Sequence, residues 1–381
     1  MATAPATLAA PATLAAPATL AAPATRTDLL DRLQLALPII QGPMTGSDTP
    51  ALAAAVSAAG GLGMLGCGMR APAAMAEAAA AVRAATDRPF GMNLFVLATP
   101  SPEPALVQAA IERLTPLYAD LGLPAPTVPT RWCEDFDAQL DALIAARPAV
   151  ASFTFGILTR AQVQRIQHEA GSLVIGTATT VAEALAWQDV GADAVCASGM
   201  EAGGHRGSFL DLSSSSQIGT LALVPACVDA LTIPVVAAGG VMDGRGIAAA
   251  LALGAQAVQM GTAFLACPES AIGAAQRAAM AQARGSDTRL TRAYSGRPAR
   301  GIVNAMMERL DACEAELPPY PIQNALTGPL RRAAAQQGRA DYLSLWAGQG
   351  VALARALPAG ELVRVLAQEL AQVLPGEAAR G

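Results

Sequence analysis

From residue 38 onward the chain carries eight short, almost unbroken apolar runs. They are PIIQGPM (38–44), GLGMLGCG (61–68), PFGMNLFV (89–96), AVASFTFG (149–156), SLVIGTAT (172–179), DAVCASG (193–199), IPVVAAGG (233–240) and QAVQMGTAF (256–264). Each ends in glycine or small polar residues and is followed by a helical pattern, such as TTVAEALAWQDVG (179–191) or GRGIAAALALGA (244–255). A strand with one wet face alternates apolar and polar residues, whereas a strand buried on both faces does not. Repeated strand–helix alternation of this kind predicts an α/β chain folded as a (β/α)8 TIM barrel over residues 26–266. The competing open, doubly wound sheet calls for G-x-G-x-x-G after the first strand and an acidic residue for a ribose. QGPMTG has neither.

Beyond the eighth run the rhythm stops. Residues 267–340 read as a mainly helical lobe over the barrel mouth, with a proline-rich break at 318–321. Residues 341–381 read as a segment returning to the barrel, with Leu362, Leu366, Leu370 and Leu374 on one helix face. At the other end PATLAA repeats in tandem within residues 1–25. Proline at every sixth position rules out a continuous helix there, so these residues read as a low-complexity tail. The uncharged stretch 49–69 is broken by five glycines and fits an alanine-rich helix leading into a buried strand, not a membrane span.

Composition narrows the partners. Hydrophobic residues make up 53% of the chain and charged residues 14%, the formal net charge is −5, and every fixed side-chain cation is arginine. No basic block suits nucleic acid, and nothing suits a membrane, which leaves small molecules. The six cysteines are scattered, with no CxxC and no zinc spacing. They read as reduced thiols of a cytoplasmic protein without a metal site. Monomer and homo-oligomer both stay open.

In a barrel of this kind the chemistry sits on loops at the C-terminal ends of the strands. Two of them, AAGGVMDG after the seventh run and QMGT ending the eighth, are glycine-rich where barrels hold a phosphate with backbone N–H groups. The alternative is that Gly239 and Gly240 make only a tight turn. The loop after the sixth run, ASGMEAGGHRGSF (197–209), carries His205, one of two histidines. An imidazole facing the mouth suits a general base. His168, within a helical pattern, reads as a surface residue.

Together PIIQGPMTG, MNLF, SFTFG, GTATTVAEA, GADAVCASGMEAGGHRG, PVVAAGGVMDGRG, QMGTAFL, YSGRPARGIVN and WAGQG, in that order, resemble the nitronate monooxygenase family from about residue 30 to 375. The resemblance implies FMN on a TIM barrel and oxidation of alkyl nitronates such as propionate 3-nitronate by O2 to a carbonyl compound and nitrite. It places Gly42, Pro43 and Met44 beside the isoalloxazine, Asn93 on the flavin, Gly203 against it, and Gly240 with Gln259, Met260, Gly261 and Thr262 at its phosphate end. Thr177, Ser198, Gly204 and Gly239 complete the expected cofactor lining, and His205 matches the catalytic histidine. Where many members have glutamine at the end of the sixth strand, this chain has Ser198, whose shorter side chain forgoes that flavin contact. Tyr294 and Ser295 would reach the site from the lobe. Arg297 and Arg300 would anchor a carboxylated substrate or form lobe–barrel salt bridges.

Two other functions fit the same barrel. One is an FMN-dependent NAD(P)H reductase of the enoyl-acyl-carrier-protein or quinone type. The other is a flavin-binding protein without turnover.

Overall fold

The computed structural model describes residues 28–213 and 216–374. The PATLAA repeat, and Ser214 and Ser215 of the serine-rich loop, lie outside them.

Each of the eight apolar runs contains a strand: β1 (Ile39–Gln41), β2 (Gly63–Gly66), β3 (Phe90–Phe95), β4 (Val150–Thr154), β5 (Leu173–Ala178), β6 (Ala194–Ser198), β8 (Val235–Ala238) and β9 (Ala257–Met260). They pair in parallel in the order β1-β9-β8-β6-β5-β4-β3-β2. Leu62 closes the ring. Its N–H donates to the Ile39 carbonyl and its own carbonyl accepts from the Gln41 N–H, both at 2.9 Å. The barrel expected from the apolar runs is therefore the barrel observed, with strands trimmed at either end where glycine and proline leave the ladder.

The lumen is filled by alternate strand side chains, among them Ile40, Met64, Val150, Ile175, Cys196 and Val236. Leu29, Leu30 and Leu33 of the helix Asp28–Leu33 join this cluster from below. Outside, the other strand faces pack against the helices. The fit is close enough that a Cβ built on Gly63 would lie 1.9 Å from the Ala53 carbonyl oxygen, so only glycine lets the helix Pro50–Ala58 approach β2. Residues 49–69 are this helix and strand, and no described helix is long and apolar enough to cross a membrane.

The last described helix, Ala359–Val373, buries Leu362, Val363, Leu366 and Leu370 against the helices Pro50–Ala58 and Gly244–Ala252. Glu369 fixes it there, accepting from the Gly244 N–H at 3.0 Å and from Arg355 at 2.6 Å.

The lobe differs from the sequence expectation in two ways. It is not only helical, because β10 (Thr288–Thr291) and β11 (Ala299–Ile302) form an antiparallel pair. β11 also pairs with the two-residue β7 (Gly204–His205), Ala299 opposite His205. Gly296, at φ +80, and Pro298 prevent a helix from running through this segment. Nor is its core built from residues 267–340 alone. The helix Pro104–Ala119, inserted between β3 and β4, supplies Val107, Leu114, Leu117 and Tyr118, which pack on Tyr294, Met306, Leu326 and Leu330.

Candidate active site

The C-terminal ends of the strands and the inner face of the lobe enclose a cavity of about 710 Å³, within the size range of cofactor and ligand sites. Gly42, Pro43, Met44, Asn93, Thr177, Ser198, Gly203, Gly204, His205, Gly239, Gly240, Gln259, Met260, Gly261 and Thr262 all line it. So do residues to which the sequence reading gave no role, chiefly Phe155 of SFTFG after β4 and Tyr320, Asn324, Arg331 and Trp346 of WAGQG from the lobe side.

Three carboxylates, Asp48 and Glu183 buried and Glu201 half-buried, hold the loops in place. Asp48 accepts from the Met44 N–H at 2.7 Å, the Gly66 N–H at 2.8 Å and Arg70 at 3.0 Å, which ties the first loop to β2. Burial pushes its carboxyl pKa up against those partners. Glu183 accepts from the backbone and hydroxyl of Thr179 at 2.7 and 2.8 Å. It also accepts from the N–H groups of Phe209 at 2.5 Å and Leu210 at 3.0 Å, and so clips the loop after His205 to the fifth strand's loop. Glu201 accepts from the Thr220 N–H and hydroxyl at 2.9 and 2.8 Å. Arg206 turns away from the cavity and donates to the carbonyls of Ser198 at 3.0 Å and Gly199 at 2.6 Å.

At the end formed after β8 and β9, Gly239 and Gly240 have φ +109 and +74. Among the described residues, the backbone N–H groups of Gly240, Gly261 and Thr262 have no protein acceptor. A Cβ built on Gly261 would meet nothing within 4 Å, so the backbone there faces open space. Free N–H donors in a glycine-lined recess form a cradle for an anionic oxygen group. Along the cavity, Asn93 donates through Nδ2 to the Ser152 hydroxyl at 2.9 Å. Its side-chain oxygen, Oδ1, has no described protein donor, while its backbone carbonyl accepts from the Cys67 N–H at 2.8 Å. Gly203 is glycine for a packing reason: a Cβ there would lie 2.5 Å from the Gly348 nitrogen of the WAGQG loop.

His205 is half-buried and surrounded by rings, with Phe155 at 5.3 Å, Tyr320 at 5.7 Å and Trp346 at 5.3 Å between centroids. Burial first, then the charges of Arg297 and Arg331, drive its pKa down to about 3. The imidazole is thus neutral throughout the physiological range. Nε2 lies 2.8 Å from the Ser295 hydroxyl, which has a second acceptor in the Arg297 carbonyl at 3.2 Å. Where Ser295 donates to that carbonyl it accepts from Nε2–H and the imidazole lone pair lies on Nδ1; where it donates to Nε2 the lone pair lies there. Phe155 holds a strained φ of +79, rare for an aromatic residue, and packs against both His205 and Phe95.

The lobe residues are placed unevenly. Ser295 reaches His205. Tyr294 bonds Asn304 at 2.5 Å and does not line the cavity. The Arg297 guanidinium donates to the carbonyls of Arg206 and Ser208 and lies 4.2 Å from the Phe155 ring centroid. Arg300 donates to the carbonyls of Met200 and Thr288. Neither arginine lines the cavity, and neither forms a salt bridge among the described residues, because backbone carbonyls occupy both. His168 is exposed on the single π-helical turn Ile166–Ala170. Cys196 lines the cavity with its thiol pKa pushed up to about 12 by burial.

The nitronate monooxygenase family model matches residues 26–369. A nitronate monooxygenase of Pseudomonas aeruginosa is 47% identical over 352 residues, spanning 90% of this chain and 99% of the relative. Among solved structures, nitroalkane oxidase from Streptomyces ansochromogenes superposes with a TM-score of 0.83 at 43% identity, covering 91% of this chain and 98% of the other. FabK from Thermotoga maritima superposes with a TM-score of 0.72 at 32% identity, covering 92% and 98%.

Proposed function

This chain belongs to the nitronate monooxygenase family, and from that premise we propose that it binds FMN in the cavity and oxidises alkyl nitronates with O2 to a carbonyl compound and nitrite. The observation that carries this reading is an imidazole, hydrogen-bonded to Ser295, on the wall of a large cavity whose far end is a cradle of unpaired backbone N–H groups. The residues fit FMN. The N–H groups of Gly240, Gly261 and Thr262 would hold its phosphate, the backbone of Gly42–Met44 would flank the ring, and Asn93, Thr177 and Ser198 would meet its polar edge. Bound there, FMN would supply the redox chemistry between nitronate and O2.

The chain's own contribution is position and proton handling. His205, kept neutral by its surroundings, accepts the α-proton of a neutral nitroalkane and, once protonated, sits beside the resulting anion. Ser295 orients the ring, and the aromatic wall of Phe155, Tyr320 and Trp346 excludes water. The test is anaerobic. Propionate 3-nitronate should reduce the bound flavin and NADPH should not, while His205→Asn should lose turnover of neutral nitroalkanes far more than of preformed nitronates. Full bleaching by NADPH alone would make the protein a reductase. Equal loss on both substrate forms would remove His205 as the base.

A further inference from the structure

Arg297 lies between β10 and β11 and is buried outside the cavity. Its side chain grips the chain on either side of the imidazole. Nε donates to the carbonyl of Arg206 at 3.1 Å and Nη2 to the carbonyl of Ser208. The guanidinium carbon stands 4.2 Å from the centroid of the Phe155 ring, which packs edge-on against the His205 ring at 5.3 Å. The Arg297 carbonyl accepts from Ser295, the partner of His205 Nε2. The next residue, Pro298, accepts from the Arg206 N–H at 2.8 Å. The Ser208 carbonyl and the Phe209 N–H belong to one peptide group. Arg297 holds its oxygen from the lobe, and Glu183, on the helix Val181–Asp189, accepts from its N–H at 2.5 Å from the barrel. A cation at the oxygen and an anion at the N–H follow the peptide dipole, and both bonds are charge-assisted. Burial lowers the Arg297 pKa to about 10, so the clamp stays charged at neutral pH.

We propose that Arg297 is a positioning residue for His205: by gripping the chain just after the histidine and the Phe155 ring beside it, it fixes the imidazole against Ser295. This rests on the reading of His205 as the base that acts on neutral nitroalkanes. The ladder with Ala299 fixes only the backbone of Gly204 and His205. Arg297 fixes the chain that follows and the ring packed on the imidazole. Arginine suits this task because its planar fork can donate to two carbonyls and face an aromatic ring at the same time, which a single ammonium cannot do. The charged and titratable groups facing His205 are Arg297 itself, Arg331 from the helix Ile322–Gln336 and Tyr320 from the turn before that helix. No aspartate or glutamate is among the described residues lining the cavity.

The test uses the full, flavin-loaded chain carrying Arg297→Met or Arg297→Lys, beside His205→Asn. A misplaced base should lower kcat for neutral nitroethane about 10- to 100-fold in Arg297→Met, with KM and the turnover of preformed ethyl nitronate little changed. Arg297→Lys should recover part of the loss. A lowered melting temperature with both rates unchanged is what a merely structural arginine gives and would overturn the assignment, as would an equal loss on the two substrate forms. A second readout needs no turnover. The chain has two histidines, so the carbon-13 signal of the His205 ring is assigned with His168→Gln. Between about pH 8 and about pH 4 the wild-type signal should hardly move, whereas Arg297→Met should raise its titration midpoint by at least about one unit. Arg297→Lys should shift it less in the same direction, and an unchanged midpoint in both would overturn the assignment. If Arg297→Met does not fold, wild-type rates and titration in Arg297→Lys would overturn it alone. If His205→Asn does not separate the two substrate forms, the functional reading fails, and the histidine signal still decides the role of Arg297.

Discussion

The low pKa of His205 has a measurable thermodynamic consequence. In the unfolded chain the imidazole titrates near about 6.5, while in the folded protein its pKa is about 3. Above pH 6.5 both states hold it neutral and it contributes no pH dependence. As the pH falls from 6.5 toward 3 the unfolded chain takes up a proton that the folded protein does not, so stability falls. At pH 5 the window traversed is about 1.5 units, worth about 2 kcal/mol at about 1.36 kcal/mol per unit. His205→Gln keeps a polar group near Ser295 and cannot titrate. Urea unfolding of flavin-loaded wild type and variant at pH 8, 6.5 and 5 isolates the effect, because all other acid-sensitive groups are shared. Relative to the variant, the wild type should lose about 2 kcal/mol between pH 8 and pH 5. Parallel stability curves would refute both the desolvation of the imidazole and its neutrality in the resting site.

Three further outcomes follow from the geometry. Gly63→Ala should cost about 3 kcal/mol or more, read as a lowered melting temperature, because the new methyl would lie 1.9 Å from the Ala53 carbonyl oxygen; an unchanged melting temperature would contradict the packing. Gly261→Val should leave the flavin-free protein as stable as wild type, since the site is open, yet weaken FMN binding at least about tenfold in a fluorescence titration. Undiminished binding would move the phosphate elsewhere. Cys196 should resist iodoacetamide at pH 8 in the native protein, as its buried thiol with a pKa of about 12 is scarcely ionised; mass spectrometry showing alkylation as fast as a free thiol would refute this.

The barrel was legible because the apolar runs are buried on both faces, a pattern tied to the local chain and independent of distant partners. The cavity's barrel side was legible for the same reason: the strands end where the glycines begin, so Gly42, Gly203 and Gly240 are placed by topology. The lobe side was not. Tyr320, Arg331 and Trp346 reach the cavity through a hydrophobic core completed by the helix Pro104–Ala119, a contact with no periodicity to read. Arg297, Arg300 and Arg331 look alike as letters. They are told apart by whether carbonyls happen to face their guanidinium groups. Likewise, YSGRPARG suggests side chains reaching a site, but only the fold shows that Ser295 arrives and Tyr294 does not.

The ladder between Gly204–His205 and Ala299–Arg300 means that the lobe is not an exchangeable cassette. Its edge strand fixes the backbone that carries His205, so replacing residues 267–340 with the corresponding piece of another barrel changes the placement of the imidazole along with the lobe side of the cavity. The shape of the cavity and the placement of His205 are inherited together in this architecture. An attempt to redesign one by swapping the lobe must preserve the register of Ala299 against His205 to leave the other intact.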